Sequence, residues 1–177
     1  ATTLGGYSET SFMSQLIDIL STFVINTISS LSYPGIVILM AIESCCIPLP
    51  SEIIMPFSGY LAFRNTFSLI GVSIAGAVGC LLGSWLAYGL GYFGGEKLTR
   101  KFIRRFGKYL FVSEHELDLS LKFFNKYGSA IMFFSRLLPA VRTYISLPAG
   151  FAKMNLVKFS AYTFFGSLIW SYMLAYV

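Results

Sequence analysis

Charge is what this sequence has least of. Only 12% of its 177 residues are Asp, Glu, Lys or Arg, whereas 55% are hydrophobic. A soluble domain carries about a quarter charged residues, so a chain this poor in charge cannot cover a surface that faces water. Together with a mean hydropathy of +0.69, this shortage excludes a soluble globular protein. It predicts an integral membrane protein with a few spans in one domain over residues 1–177.

The residues that most enzymes need are also scarce. His115 is the only histidine, and it lies between Glu114 and Glu116 in a basic segment, where we expect a solvated surface residue. Ser135 beside Arg136 is the one pairing that a lipid phosphatase could use, but it lacks a histidine–aspartate partner. No HExxH motif or ligand cluster offers a metal site. The sequence therefore predicts a protein that is not an enzyme, with no catalytic residue, metal or cofactor.

Cysteine offers no structural framework. The three cysteines are Cys45, Cys46 and Cys80, an odd number without zinc or redox spacing. Neighbouring cysteines point apart and rarely bond to each other. We therefore expect all three to pack as small apolar residues in the membrane core.

Positive charge is absent from the first third of the chain and concentrated in the middle. No Lys or Arg precedes Arg64, and eight of the thirteen lie between Lys97 and Lys126. Over residues 97–108 the apolar side chains fall on one helix face and the positive charges on the other, which predicts an amphipathic surface helix. Between apolar segments, this pattern indicates a cytoplasmic segment over 96–126 under the positive-inside rule, rather than a nucleic-acid interface.

Long apolar runs without interruption are few. Residues 68–93 predict a transmembrane helix, and residues 159–177 predict a second one. Residues 1–11 are polar and are expected to be loose. Residues 14–31 predict a helix that lies at the membrane interface or spans marginally.

Two further apolar segments, 33–63 and 127–154, are broken by proline and charge. In the first, the stretch "ESCCIPLPSE" (43–52) ends a helix after about 14 residues, which is too short for a hydrocarbon core that requires about 20. Non-helical backbone at membrane depth needs cover from protein or water. Each segment therefore predicts a re-entrant hairpin, and the residues expected to shape the two turns are Pro48, Pro50, Gly59, Pro139, Pro148 and Gly150.

The two broken segments match in spacing. Gly35 precedes Glu43 by eight residues, as Gly128 precedes Arg136, and a proline-to-glycine spacing of eleven also recurs. One crossing, 68–93, separates the segments. The sequence therefore predicts an all-α integral membrane protein built as an inverted repeat. Each re-entrant hairpin is followed by a transmembrane helix, as in many secondary transporters.

The charges in the two segments are opposite in sign. The first carries Glu43 and Glu52, and the second carries Arg136 and Arg142. Ionisable groups at membrane depth are costly, and they pair or face a water-filled cavity. One interpretation is that these four side chains form buried ion pairs that only join the hairpins. The other is a polar cavity in which the arginines bind an anionic headgroup and a carboxylate carries protons.

Both motifs resemble those of a known family. The stretch 43–52 is similar to the Glu-x4-Pro-x-Pro-x-Glu hairpin of the DedA family, also called the SNARE-associated or VTT domain family. "FFSRLLPAVRTYISLPAGFAKM" (133–154) is similar to its second motif, and the resemblance runs from about Pro34 to Trp170. Family members continue through one more helix, so a C-terminal helix is expected to be missing after Val177.

The resemblance implies membrane proteins with two re-entrant hairpins that translocate lipids. It places the essential acids at Glu43 and Glu52 and the essential arginines at Arg136 and Arg142. Bacterial members recycle undecaprenyl phosphate or phospholipids, several of them with the proton motive force, and eukaryotic relatives act as scramblases.

The hypothesis from the sequence is therefore a flippase of the bacterial cytoplasmic membrane that moves a phosphate-bearing lipid, with undecaprenyl phosphate as the first candidate. Its partners would be this lipid, the surrounding membrane lipids and, in a coupled cycle, protons. A homodimer is one hypothesis for its assembly. The alternatives are a passive phospholipid scramblase and a membrane-homeostasis protein without transport activity that docks a partner on residues 97–108.

Overall fold

The computed structural model describes residues 6–45, 50–110, 118–119, 121–122, 126, 131–138, 142 and 145–177, with the backbone alone for 6–17, 96–99, 102–103 and 105–110. Within these residues the chain is helical and contains no strand, which confirms the prediction of an all-α protein. The helices are α1 (Gly6–Leu31), α2 (Tyr33–Ser44), α3 (Ser51–Phe63), α4 (Leu69–Leu110), α5 (Ile131–Ser135), α6 (Ser146–Phe151) and α7 (Leu156–Tyr176).

Helix α1 is longer than the sequence suggested. It begins at Gly6 and runs for 26 residues, so the prediction of a loose segment over 1–11 is wrong from Gly6 onward. No proline interrupts the segment, which lets the helix continue to Leu31.

Helices α2 and α3 flank the proline-rich stretch of the first broken segment. Pro34 lies in the first turn of α2, where a missing backbone N–H costs nothing because that group has no intrahelical acceptor. Pro50 is the extended residue that precedes α3, and Pro56 lies inside α3. Both helices are short, with 12 and 13 residues. Pro48, between them, lies outside the described residues.

Helix α4 contains the predicted transmembrane segment and continues beyond it. Of the helices that the structure describes, Leu69–Gly95 alone is both long and apolar enough to cross a membrane, with 27 residues or about 40 Å. Gly95 has a φ of 61° and breaks the helical geometry, a backbone conformation that glycine adopts without strain. The basic stretch beyond Gly95 is helical to Leu110, as the sequence predicted for an amphipathic helix.

Helix α7 begins three residues before the predicted span. The side chain of Asn155 caps it by accepting hydrogen bonds from the backbone N–H groups of Val157 at 3.0 Å and Lys158 at 3.2 Å. Such a cap satisfies donors that a helix start leaves without partners. The cap therefore fixes the start of α7 at Leu156.

Helices α4 and α7 pack side by side and run in opposite directions. Near the start of α7, the rings of Tyr88 and Phe159 lie 4.8 Å apart. Towards its end, a Cβ atom at Gly76 would lie 2.7 Å from Ser171 Oγ. Contacts in which one residue number falls while the other rises define an antiparallel pair.

The first helix of each broken segment packs on the long helix that follows it in the chain. A Cβ atom at Gly83 of α4 would collide with the carbonyl oxygen of Ala41 in α2. In the same way, a Cβ atom at Gly166 of α7 would lie 2.7 Å from Cβ of Arg136, directly after α5. Small residues at these positions let the helices approach closely.

The second helix of each broken segment packs on the long helix of the other half. A Cβ atom at Gly59 in α3 would collide with the carbonyl oxygen of Ala175 in α7, and one at Gly150 in α6 would collide with that of Tyr88 in α4. Both glycines lie inside helices, so what the structure requires of them is close packing. They do not form the turns that the sequence suggested.

Large apolar side chains cover much of the surface that the structure describes. Phe63 and Phe93 are 86% and 88% exposed, and many other large apolar side chains face outward. Beside its apolar core, the interior contains thirteen polar or charged residues among those described, most of them serines. An apolar exterior around a partly polar interior is the distribution that a lipid environment favours.

Candidate functional site

The centre of the candidate site is an ion pair between the two broken segments. Arg142 Nη2 lies 3.0 Å from Glu43 Oε2, and both side chains are buried. Glu43 is the last but one residue of α2, and Arg142 lies between α5 and α6. A buried charge without a partner is strongly unfavourable. The structure therefore brings together an acid and a base that the sequence places 99 residues apart.

Two residues that the sequence reasoning did not select also contact Arg142. Arg142 Nη2 donates to Cys80 Sγ at 3.2 Å, and the guanidinium carbon lies 5.5 Å from the ring centroid of Trp170. Cys80 comes from α4 and Trp170 from α7, so both long helices line the site. A ring beneath a desolvated guanidinium contributes a favourable cation–π interaction.

Arg136 stabilises the backbone around Arg142. Its Nη1 atom donates to the carbonyl oxygen of Arg142 at 2.6 Å. Its Nη2 atom donates to Ser146 Oγ at 2.7 Å and to Thr163 Oγ1 at 3.3 Å. These acceptors lie between α5 and α6, at the start of α6, and in α7. Arg136 therefore joins three parts of the second half and fixes the position from which Arg142 reaches Glu43.

Positive charge exceeds negative charge inside the described part of the molecule. Its buried charged side chains are Glu43, Arg136 and Arg142. Arg142 Nη1 and Trp170 Nε1 are buried and have no hydrogen-bond partner within that same part. Both groups only donate, and buried donors without acceptors are rare in folded proteins. Oxygen atoms of an anion are acceptors of the kind that such donors require.

Glu52 is not part of this buried cluster. It is exposed in the first turn of α3, and among the described residues no ion pair joins it to either arginine. A carboxylate in the first turn of a helix is favourable without any partner. Of the four predicted charged residues, three are buried together and Glu52 lies at the surface.

Some of the remaining predicted positions lie among the described residues and others do not. Pro50 precedes α3, and Pro148 lies in α6. Pro139 lies outside the described residues, as do Pro48 and His115. The described residues contain no cluster of ligands that could bind a metal ion.

Ser135 does not have the surroundings of an enzymatic nucleophile. It is buried, and its hydroxyl donates to the carbonyl oxygen of Met132 at 3.0 Å. A nucleophilic serine donates its proton to a base, whereas this one donates to its own turn of helix. The pairing of Ser135 with Arg136 therefore contributes to packing at the end of α5.

Comparison with known proteins places these features in context. The family model described as the VTT domain matches residues 49–177. The uncharacterized membrane protein YkoX of Bacillus subtilis is 40% identical over 153 residues, which are 86% of this chain and 66% of that protein. Undecaprenyl phosphate transporter A of Bacillus subtilis is 36% identical over 154 residues, covering 87% of this chain and 74% of the transporter.

A third relative carries an enzyme-like name. The alkaline phosphatase-like protein of Lactococcus lactis subsp. cremoris is 36% identical over 152 residues, covering 85% of this chain and 71% of that protein. No solved structure matches the chain. The chain thus spans about two thirds to three quarters of the length of these relatives.

Proposed function

Since this chain belongs to the VTT domain family, also called the DedA family, we propose that it is a membrane transporter of a phosphate-bearing lipid. The observation that carries the proposal is the buried cluster in which Arg142 offers Nη1 without an acceptor while its Nη2 binds Glu43. A guanidinium is planar and can bind two anions along different edges. The phosphate would bind the edge that Glu43 leaves open.

Undecaprenyl phosphate is the first candidate for the lipid. The transporter named for it in Bacillus subtilis is 36% identical to this chain. The phosphate monoester of this lipid is negatively charged, and a cluster of arginines binds such a group favourably. In this proposal Arg142 contacts the phosphate directly. Arg136 contributes positive charge and maintains the backbone at Arg142.

Glu43 is the proposed site of proton coupling. A phosphate at Arg142 would place a second negative charge beside this buried carboxylate. Uptake of a proton by Glu43 would relieve the repulsion and release the guanidinium to the phosphate. Glu52, at the surface, would take part only if α3 moves during the cycle.

The proposed architecture is an inverted repeat, with re-entrant hairpins over 33–63 and 127–154 that enter from opposite membrane faces. Its support is the matched set of glycine contacts in the two halves and the antiparallel packing of α4 and α7. Corresponding helices of inverted repeats run in opposite directions. The site between the hairpins would then become accessible from each face in turn.

The proposed location is the bacterial cytoplasmic membrane, with the basic stretch 97–108 on the cytoplasmic side. Lys101 is exposed in this stretch, so it could contact anionic headgroups. Arg100 is instead paired with Asp118, with 2.5 Å between Nη2 and Oδ1.

Flipping of undecaprenyl phosphate in liposomes tests the proposal. The comparison is between the unmodified chain, Glu43→Gln, Arg136→Ala and Arg142→Lys, where the lysine keeps the charge beside Glu43 but loses the planar fork. Lys158→Gln is the matched control, because Lys158 is exposed and outside the cluster. We expect the three cluster variants to slow flipping at least tenfold and the control to keep its rate. Equal rates in all five proteins would refute the proposal.

A pH gradient across the same liposomes separates the alternatives. A proton-coupled carrier accelerates when the gradient is applied, and Glu43→Gln removes that acceleration. A passive scramblase gives the same rate with and without the gradient. A partner-docking protein without transport activity would lose its function on charge reversal over 97–108 and keep it in Arg136→Ala.

A further inference from the structure

A second candidate binding site lies away from the arginine cluster, where the later part of α4 faces the loop before α7. It is a groove of about 600 Å³, within the range of small-molecule sites. Aromatic side chains of α4 line one wall, and the loop before α7 lines the other with Lys153 and Met154. Gly89, in the middle of the wall, is nine residues beyond Cys80, which is about 13 Å along the helix axis.

Hydrogen bonds join α4 to the chain on the opposite side of this groove. The hydroxyl of Tyr88 donates to the carbonyl oxygen of Met154 at 2.6 Å. Trp85 Nε1 donates to Ser160 Oγ at 2.9 Å. Both bonds join α4 to the segment around the start of α7, so the walls are positioned before any ligand arrives, which lowers the cost of binding.

The groove has one cationic end and one apolar end. Lys153 Nζ lies 5.9 Å from the ring centroid of Tyr92, near the end of the apolar part of α4 at Gly95. Trp85 lies about 10 Å further from that end along the same helix. Negative charge is rare here, because Glu96 is the only acidic residue of α4 and none follows Asp118.

We propose that this groove binds an anionic phospholipid from the bilayer, with the phosphate at Lys153 and an acyl chain along Tyr88 and Trp85. The cationic end lies where α4 leaves its apolar segment, and the apolar wall continues towards the middle of the membrane. A phospholipid has the matching arrangement, with its charged headgroup at the membrane surface and its acyl chain towards the middle of the membrane. The inference does not depend on transport by the arginine cluster, since it concerns a different surface and is measured as binding.

A general aromatic belt is the competing explanation. Trp and Tyr collect at membrane interfaces and contact headgroups of any charge, and lysines extend towards the water there. An aromatic belt contacts neutral and anionic lipids alike. A site built around Lys153 prefers the anionic lipid.

Fluorescence quenching by brominated lipids separates the two explanations. Trp85 and Trp170 are the only tryptophans, so Trp170→Phe leaves Trp85 as the single reporter in the full chain. The protein is placed in phosphatidylcholine nanodiscs that contain increasing amounts of dibrominated phosphatidylglycerol or dibrominated phosphatidylcholine. One lysine near an anionic headgroup corresponds to about a fivefold preference. We therefore expect half-quenching at about a fivefold lower mole fraction of the phosphatidylglycerol.

Two lysine variants in this background provide the matched comparison. Lys153→Gln should reduce the preference to about one. Lys158→Gln removes the same charge five residues away, at an exposed position that does not line the groove, and should keep the preference. Equal quenching by the two lipids in the parent would overturn the proposal, and so would an equal loss of preference in both lysine variants.

Photocrosslinking extends the test to the unmodified chain, in case Trp170→Phe impairs folding. A phosphatidylglycerol with a diazirine on its acyl chain should label residues 85–93, and excess unlabelled phosphatidylglycerol should compete more strongly than phosphatidylcholine. Labelling spread evenly over the exposed faces of α4 and α7 would contradict the proposal. Neither experiment measures flipping, so its result is independent of that for the arginine cluster.

Discussion

The helix contacts beside Glu43 and beside Arg136 are alike, although the two side chains carry opposite charges. Gly83 brings α4 against α2 next to Glu43, and Gly166 brings α7 against the chain at Arg136. The polar partners differ. Arg136 donates to three oxygen atoms of its own half, whereas the ion-pair partner of Glu43 is Arg142, from the other half.

This difference shows how the two halves depend on each other. The second half contains its own network of hydrogen bonds around Arg136 and would keep most of it without Glu43. The first half contributes the buried carboxylate of Glu43, and the positive charge that pairs with it belongs to Arg142 of the second half. The charge of the first half is therefore stable only in the assembled molecule.

Removal of Arg142 should have the largest effect on this arrangement. Arg142→Ala leaves Glu43 buried without its cation, and loss of one partner of a buried pair costs about 3–5 kcal/mol. The free energy of unfolding in mild detergent measures the loss. The double variant Glu43→Gln with Arg142→Ala serves as the control, because it removes both charges and should recover part of the stability. A double variant less stable than Arg142→Ala would show that Glu43 does not depend on this arginine.

Alanine in place of the contact glycines should destabilise the protein by different amounts in the two halves. In Gly83→Ala the new methyl group meets the backbone carbonyl of Ala41, which cannot move without shifting α2. In Gly166→Ala it meets Cβ of Arg136 at 2.7 Å. Overpacking costs about 1–3 kcal/mol, and we expect the larger value for Gly83→Ala in thermal unfolding. Gly89→Ala is the control, because nothing lies within 4 Å of the added atom; if it destabilises as much, the cost does not come from packing.

Substitution of the residues that accept hydrogen bonds from Arg136 should lower the free energy of unfolding, and the residue with the shorter bond should have the larger effect. Ser146 Oγ accepts at 2.7 Å and Thr163 Oγ1 at 3.3 Å, and a hydrogen bond to a charged group contributes about 1.5–3 kcal/mol. Ser146→Ala should therefore lower the free energy of unfolding by about 2 kcal/mol, and Thr163→Val by less. Ser58→Ala is a useful reference, since Ser58 donates only to the carbonyl of Ile54 in its own helix. The reverse order for Ser146 and Thr163 would contradict the network described for the second half.

Glu52 should give the smallest effect on stability. Because it is exposed, Glu52→Gln is expected to change the free energy of unfolding by no more than about 0.5 kcal/mol. Flipping of undecaprenyl phosphate, measured on the same sample, then reports the role of this carboxylate in transport. A loss of several kcal/mol would mean that Glu52 is buried with a partner in the membrane-embedded protein.

The sequence was sufficient for features that depend on local chemistry. The helix break before Pro50 follows from the proline-rich stretch. The start of α4 at Leu69, one residue after the predicted start of the span, follows from the length of the apolar run. Glu43 and Arg142 were selected because they are ionisable residues in apolar segments. The extension of α1 to Gly6 could not be predicted from the sequence, because a short polar segment shows little hydrophobic periodicity. The start of α7 was placed three residues late because the capping role of Asn155 was overlooked.

Features that depend on the meeting of distant helices could not be predicted. Cys80 and Trp170 lie in apolar runs, and nothing in their neighbourhoods indicates that Arg142 contacts both. Glu52 was grouped with Glu43 because both acids lie in the first broken segment and match the hairpin motif of the family. They belong to different helices, whose orientations place one inside and the other outside. The sequence thus identified the charges but could not determine which of them are buried.

The packing of Gly59 against Ala175 has a consequence for synthesis of the chain. The two residues are 116 positions apart, so α3 leaves the ribosome long before α7, the helix it packs on, exists. Contacts at such separation form late and slow the folding of a chain. Until α7 is inserted, the face of α3 at Gly59 lacks the packing partner that it has in the complete fold. The first half would therefore complete its fold only when the last described helix arrives.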